Sequence, residues 1–176
     1  MKKSDQTSIY ISITKQQLRL KRGRSVDRTY PVSTSKYGLG SEGGSLKTPL
    51  GRFRIAEKIG HDLPTTSAFQ SRKVVDVSEE MLQAEDLVMS RILWLDGLEK
   101  HNANTFARYV YIHGTNHEEL IGQPASHGCV RMRNRDVAEL FDLVEVDTPV
   151  QIEAPKARQR RGRKGEKSVA PRVHHD

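Results

Sequence analysis

The chain has 176 residues, 35% hydrophobic and 29% charged, the size and balance of one globular domain, and no apolar run approaches the roughly 18 residues that cross a bilayer. A single cysteine excludes an intramolecular disulfide, so the core and backbone pairing must hold the fold. The net charge of +7 is concentrated in KARQRRGRKGEK, residues 156–167, which carry +6; residues 1–155 sum to +1, and the body is nearly neutral.

The N-terminal MKKSDQTSIYISITKQ has a basic start followed only by the short IYISI, less than the roughly 7–15 apolar residues of a signal-peptide core, and no export signal is read there. IYISI (9–13) and LRL (18–20) alternate apolar and polar side chains, the period of half-buried strands. KRGRS supplies a turn before a further strand around RTYPVSTS, so the chain opens as a hairpin. Residues 36–60, KYGLGSEGGSLKTPLGRFRIAEKIG, hold six glycines and a proline; this is loop chemistry leading into a strand from Arg52 to Ile59.

Residues 61–100 are the least patterned. SEEMLQAEDLVMS reads as a helical turn or two, and RILWL as a strand. ARYVYIH (107–113) is aromatic and β-branched and ends at a glycine, which predicts a buried strand delivering His113 to its end. From Asn134 the period changes: Val137, Leu140, Phe141 and Val144 fall at i, i+3, i+4 and i+7, with Asn134 placed to cap the helix and Asp136 in its first turn. TPVQIE (148–153) reads as a closing strand. The expected organisation is an N-terminal tail at 1–7, one domain at 8–153 and a basic, disordered tail at 154–176, with no internal repeat.

The only cysteine lies in IGQPASHGCVRM, residues 121–132. It reads either as a small buried residue or as a nucleophile. Nucleophilic attack on a carbonyl needs the thiolate, and a free thiol titrates near about 8.5, so a catalytic cysteine needs a base or an anion-stabilising site. His127 is two residues away, a separation that does not by itself bring side chains together. His113 is 16 residues upstream, at the end of a predicted strand, and the intervening loop is long enough to return it to Cys129. Gly128 allows close approach of the backbone to a substrate, and amides around Cys129 are candidate oxyanion donors. Arg131 reads as an anchor for a carboxylate, or as a solvated loop charge. His113, His117, His127 and Cys129 also form a candidate zinc set, but HGTNH on a strand end lacks helical spacing and no second cysteine or carboxylate cluster completes four ligands.

These residues resemble the YkuD-type L,D-transpeptidase catalytic domain family, in its ErfK/YbiS-like form. The likeness is carried by YIHGT, IGQPASHGCVRMRNRDVAELFDLV and DTPVQIE, with YPVSTSKYGLG, LKTPLGRFRI and RILWLDGLE upstream; it spans about residues 8–153, and SHGC is its most specific part. The resemblance implies a mainly β fold, a sandwich of mixed sheets with a short helix after the cysteine loop. It implies that Cys129 attacks the carbonyl of the third residue of a peptidoglycan stem tetrapeptide, releasing D-Ala and leaving a thioester. An amine then takes the acyl group in a 3→3 cross-link, lipoprotein attachment or D-amino-acid exchange; with water as acceptor the activity is an L,D-carboxypeptidase.

By the same resemblance His113 is the base, oriented through the backbone at Gly114, while His127 and Gly128 frame the oxyanion hole with the Cys129 amide. Ser126, Arg131 and Thr115 shape the substrate side. No metal or organic cofactor is implied, and carbapenems are expected to acylate the cysteine. The implied compartment is the cell envelope or periplasm. The alternative outside enzymes is an inactive module that binds stem peptides. The basic tail lacks interleaved aromatics and any nucleic-acid motif, so it reads as a solvated segment able to touch anionic polymers, with no specific nucleic-acid partner. Asp147 stands where the family often has glycine, a departure expected to alter only a turn.

Overall fold

The structure is a computed structural model that describes residues 6–84 and 86–154. The basic tail expected at 154–176 therefore lies, apart from its first residue, outside the described residues.

Alternation governs the first half. In β1 (Thr7–Ser12) and β2 (Gln17–Arg22), Ile9, Ile11, Leu18 and Leu20 turn inward to full burial while Tyr10, Arg19 and Lys21 face outward. The two strands pair antiparallel from Thr7 opposite Arg22, so regular structure begins one residue inside the expected tail. β3 (Ser25–Pro31) adds to β2, and the opening is a three-stranded meander rather than one hairpin. After the glycine-rich loop, β4 (Gly51–Ile59) pairs with the last strand, β10 (Pro149–Glu153), which in turn runs parallel to β1. The chain's two ends thus close one sheet, in the order β3-β2-β1-β10-β4.

β7 (Val88–Gly97) is the strand on which this sheet forks. Ile92 pairs with Ile59 of β4 on one edge and with His113 of β8 (Tyr111–Gly114) on the other. β5 (Ala68–Gln70), with β6 (Lys73–Val75) beyond it, continues the β4 side where β4 ends. β8 then pairs parallel with β9 (Val130–Met132). Both faces of β7 are covered. Leu93 and Leu95 enter the main core with Phe53, Ile55, Ile112, Met132 and the inward face of β1–β2. Ile92 and Trp94 face the other way, into a second cluster with Phe69 and Tyr111, against which Cys129 packs. The mostly β, mixed-sheet architecture with one short helix after the cysteine loop is the fold class the sequence predicts.

Among the described residues there are two α-helices, α1 (Glu79–Ala84) and, after β9, α2 (Asn134–Leu143), which buries Val137, Leu140 and Phe141 at the predicted spacing, and a single 3-10 turn at Glu118–Leu120. Two local expectations are corrected. The strand predicted over 107–113 starts only at Tyr111, because residues 104–109 fold as a turn: Arg108 N–H donates to Asn104 O, Tyr109 N–H donates to Phe106 O, and Tyr109 is left-handed at φ 56°. Phe106, just before the predicted run, anchors this turn by stacking, lying 4.0 Å from the Trp94 ring at an interplanar angle of 6° while its carbonyl accepts the Trp94 indole N–H. Asn134 does not cap α2. It is the first helical residue, its side chain donates to Thr115 O, and its own N–H is taken by the Glu118 carboxylate at 2.7 Å. Asp147 adopts the left-handed φ of 67° that favours glycine and gives its carboxylate to Arg54 at 2.7 Å, so the departure is confined to a turn.

Phe53 is fully buried where β4, β7 and β10 meet. Phe53→Ala should lower unfolding free energy by about 3–5 kcal/mol in urea titration, through lost burial plus a residual cavity.

Candidate active site

His113 ends β8 with 3% of its surface exposed. Its Nδ1 meets the carbonyl of Gly114, which can only accept, so Nδ1 carries the proton and Nε2 is left as the basic nitrogen. Gly114 is required by space: a Cβ there would lie 2.7 Å from Met89 O and 3.0 Å from Ser90 Cβ. Burial pushes the His113 imidazole down from 6.5 to about 4, against which the Gly114 carbonyl and the Asp86 carboxylate act.

Cys129 sits on the loop entering β9, partly exposed. The preceding Gly128 has φ 122°, a conformation L side chains rarely adopt, and its carbonyl is fixed by the Thr48 hydroxyl at 3.1 Å. Ser126 Oγ closes the turn, donating to Cys129 O at 2.6 Å and accepting from Gly128 N–H. This leaves the Cys129 N–H with no hydrogen-bond partner among the described residues. The thiol is tied to β8 instead: Sγ donates to Tyr109 O at 3.5 Å and accepts from Tyr111 N–H at 3.3 Å. Burial pushes the thiol up from 9.0 to about 11, with the Tyr111 N–H as the main opposing effect. The resting site therefore holds a neutral thiol and a neutral imidazole, with no direct hydrogen bond between them among the described residues.

Beside the thiol, His127 Nδ1 donates to Asp86 at 3.0 Å, and the other Asp86 oxygen accepts from Arg131 Nη1 at 2.7 Å. Burial would raise the Asp86 carboxyl, but the His127 hydrogen bond and the Arg131 guanidinium together hold it below the usual carboxylate range.

Two cavities flank Sγ. One of about 320 Å³ is lined by Asp86, Tyr109, Tyr111, His113, His127 and Cys129. The other, about 290 Å³, is lined by Gly43, Gly44, Leu46, Arg108, His127, Gly128 and Cys129 among others. A further cavity, about 560 Å³, lies at Leu39–Glu42, Leu50 and His101 and contains no nucleophile or base of this site.

The fold thus brings Cys129, His113 and His127 together around the thiol, with Gly128 beside it and Gly114 behind the imidazole. Arg131 is placed elsewhere than a substrate clamp would need: it is 1% exposed and its carboxylate partner is Asp86. Ser126, 1% exposed, braces the loop, and Thr115, fully buried, accepts from His117 N–H and Asn134. His117 pairs with Glu119 at 3.1 Å, and among the described residues no group of three or more His, Cys, Asp or Glu is arranged to hold a metal. Sequence reasoning missed Asp86, Arg108, Thr48 and Tyr111. Asp86 lies in the least patterned stretch, and Arg108 within a run that reads as strand, so neither carried a local signal.

A loop-borne cysteine with a buried histidine on a forked mixed sheet defines a class of thiol-containing β domains. The family profile of the L,D-transpeptidase catalytic domain, YkuD, matches residues 6–152, and the chain belongs to that family. The L,D-transpeptidase YkuD of Bacillus subtilis (strain 168) is 28% identical over 144 residues, covering 82% of this chain and 64% of that protein. The L,D-transpeptidase from Xylanimonas cellulosilytica (residues 123–326) shares the fold at TM-score 0.56 and 20% identity, over 87% of this chain and 63% of that one. LdtMt1, an L,D-transpeptidase whose structure is in complex with imipenem, does so at TM-score 0.55 and 23% identity, over 85% and 59%. The chain spans less than two thirds of the length of each of these relatives.

Two outcomes test this geometry. Alkylation of Cys129 by iodoacetamide should climb about tenfold per pH unit between about pH 7 and 9; a plateau on the acid side of neutrality would reveal a preformed thiolate–imidazolium pair instead. Arg131→Ala should cost about 1–3 kcal/mol in chemical denaturation, because Asp86 loses a charge-assisted hydrogen bond while keeping His127 and access to water.

Proposed function

We propose that the chain is a cysteine acyltransferase acting on peptidoglycan stem tetrapeptides, an L,D-transpeptidase. The observation that carries this reading is that Cys129 Sγ and His113 line one cavity, with His113 Nδ1 occupied by Gly114 O so that Nε2 is the available base.

Attack of Sγ on the carbonyl of the third stem residue passes the thiol proton to His113 Nε2. The charge developing on the carbonyl oxygen meets the unengaged Cys129 N–H. His113 starts neutral, since burial holds it near about 4, and the imidazolium formed during the step is favoured by the field of Asp86. Collapse returns the proton from Nε2 to the leaving D-Ala nitrogen and leaves a thioester on Cys129. An acceptor amine then loses its proton to Nε2 as it takes the acyl group, and Nε2 passes that proton to the departing Cys129 Sγ, restoring the thiol. The thioester conserves the energy of the cleaved amide, so the reaction requires no metal or organic cofactor. The substrate places the site of action in the cell envelope; no helix among the described residues is long and apolar enough to cross a membrane.

Disaccharide-tetrapeptide incubated with the protein and excess D-methionine should exchange D-Ala for D-methionine by mass spectrometry. Cys129→Ala should abolish exchange, and His113→Ala should lower kcat by about 10²–10⁴-fold. Imipenem should add its mass at Cys129. Tripeptide as the only product would replace transferase by L,D-carboxypeptidase; unchanged tetrapeptide would overturn the acyl-transfer reading and favour stem-peptide binding.

A further inference from the structure

We infer that Arg108 anchors the C-terminal carboxylate of the donor stem peptide in the cavity beside Cys129, and so makes the site specific for a free acid at the fourth residue. The inference rests on the acyl-transfer reading.

A site that cleaves next to a chain terminus needs a cation near the nucleophile, and the sequence offered Arg131. The structure removes that candidate, because Arg131 is fully buried and already neutralised by Asp86. Arg72 is stacked over Trp94 and Tyr109 at 4.9 and 5.0 Å and lines neither cavity at the thiol. Lys47 is near Glu42, at 3.9 Å. Arg108 differs from all three. It lines the cavity of about 290 Å³ together with Cys129, Gly128 and His127, and among the described residues it forms no ion pair.

Its hydrogen bonds are made to neutral acceptors: Nη1 to Gly40 O at 3.3 Å, Nη2 to Ser45 Oγ at 3.4 Å and to Lys47 O at 2.9 Å. These fix the plane of the guanidinium. Of its five N–H groups, the Nε–H and one on Nη1 have no acceptor within the described residues; they lie on different edges of the guanidinium, so each can give a carboxylate oxygen a single charge-assisted hydrogen bond. Gly43 and Gly44, which line the same cavity, leave it room, since a Cβ on either would meet nothing within 4 Å. Arg108 also acts electrostatically on the thiol, favouring its anion.

Substrate chemistry selects the carboxylate. In the fourth residue only a nitrogen and one Cα separate the carboxyl carbon from the scissile carbonyl carbon, a span of about 3–4 Å. Whenever Sγ is within reach of the scissile carbonyl, this carboxylate is beside it. A fifth residue would convert it to an uncharged amide and lose the ion pair.

The test compares disaccharide-tetrapeptide as free acid with its C-terminal carboxamide, as kcat/KM for exchange with D-methionine, in the full chain and in Arg108→Gln, Arg108→Lys and Arg72→Gln. The wild type should prefer the acid by about 10- to 100-fold, the worth of a charge-assisted hydrogen bond. Arg108→Gln should lose this preference by falling on the acid alone, Arg108→Lys should recover part of it, and Arg72→Gln should leave the ratio unchanged. Equal fall on both peptides would assign Arg108 to holding residues 40–47 and overturn the inference. So would a preference absent from the wild type, or one that survives Arg108→Gln and vanishes in Arg72→Gln. Equilibrium binding of the same two peptides to Cys129→Ala, with and without Arg108→Gln, gives the comparison without turnover. If the wild type exchanges neither peptide, the acyl-transfer reading falls and takes this inference with it; if it exchanges both equally, only the inference falls.

Discussion

A fully buried guanidinium has to be neutralised where it lies, and the placement of Arg131 organises the loop around the thiol. Taking an unpaired charge out of water costs several kcal/mol, so Asp86 is drawn to Arg131 at 2.7 Å, with Ser33 Oγ at 3.4 Å on the other side. Three segments far apart in the chain are joined: the stretch after β3, the loop before β7, and β9. Asp86 has a second oxygen to give, and it takes His127 Nδ1. The histidine beside the cysteine is thereby oriented by a carboxylate 41 residues away, held in turn by an arginine that touches no solvent.

The second organising feature is the alternation along β7. One face completes the main core and the other supports the site, so packing of Leu93 and Leu95 and placement of Cys129 depend on the same strand. Trp94 fixes Phe106 by stacking and by its indole N–H, which sets the turn that ends at Tyr109. That turn presents the Tyr109 carbonyl and the Tyr111 N–H to Sγ. The thiol is thus held by the backbone of β8, while the imidazole is held by the backbone one residue beyond His113. Neither group relies on the other for its position, which suits the proposed reaction, in which one of them is acylated.

Burial sets the electrostatics. The thiol is pushed up and the imidazole down, to about 11 and about 4, so separation of charge between them is unfavourable at rest. In the proposed reaction, proton transfer accompanies attack, and the Asp86–Arg131 pair is the standing field in which the transient imidazolium forms. Arg108 lines the other cavity at Cys129, so the two cavities differ in chemistry: one has the base and a carboxylate, the other a guanidinium.

Local pattern was legible wherever a segment meets its environment in a repeating way. The alternation of IYISI and LRL, the helical spacing of Val137, Leu140 and Phe141, and the closing strand at 149–153 all follow from one-sided burial, which the sequence carries by itself. The SHGC block and its upstream histidine named the family for the same reason, since chemistry at a fixed spacing is local information. What the sequence left open were relations across distance: the strand beginning at Tyr111 rather than Ala107, the partner that Glu118 supplies at the start of α2, and the partner of Arg131. An arginine next to a cysteine reads as a substrate anchor until a carboxylate from another part of the chain is found to occupy it. Such partners are chosen when the sheet closes, because the cost of burying a charge depends on the whole surrounding shell, and only the tertiary structure supplies that shell.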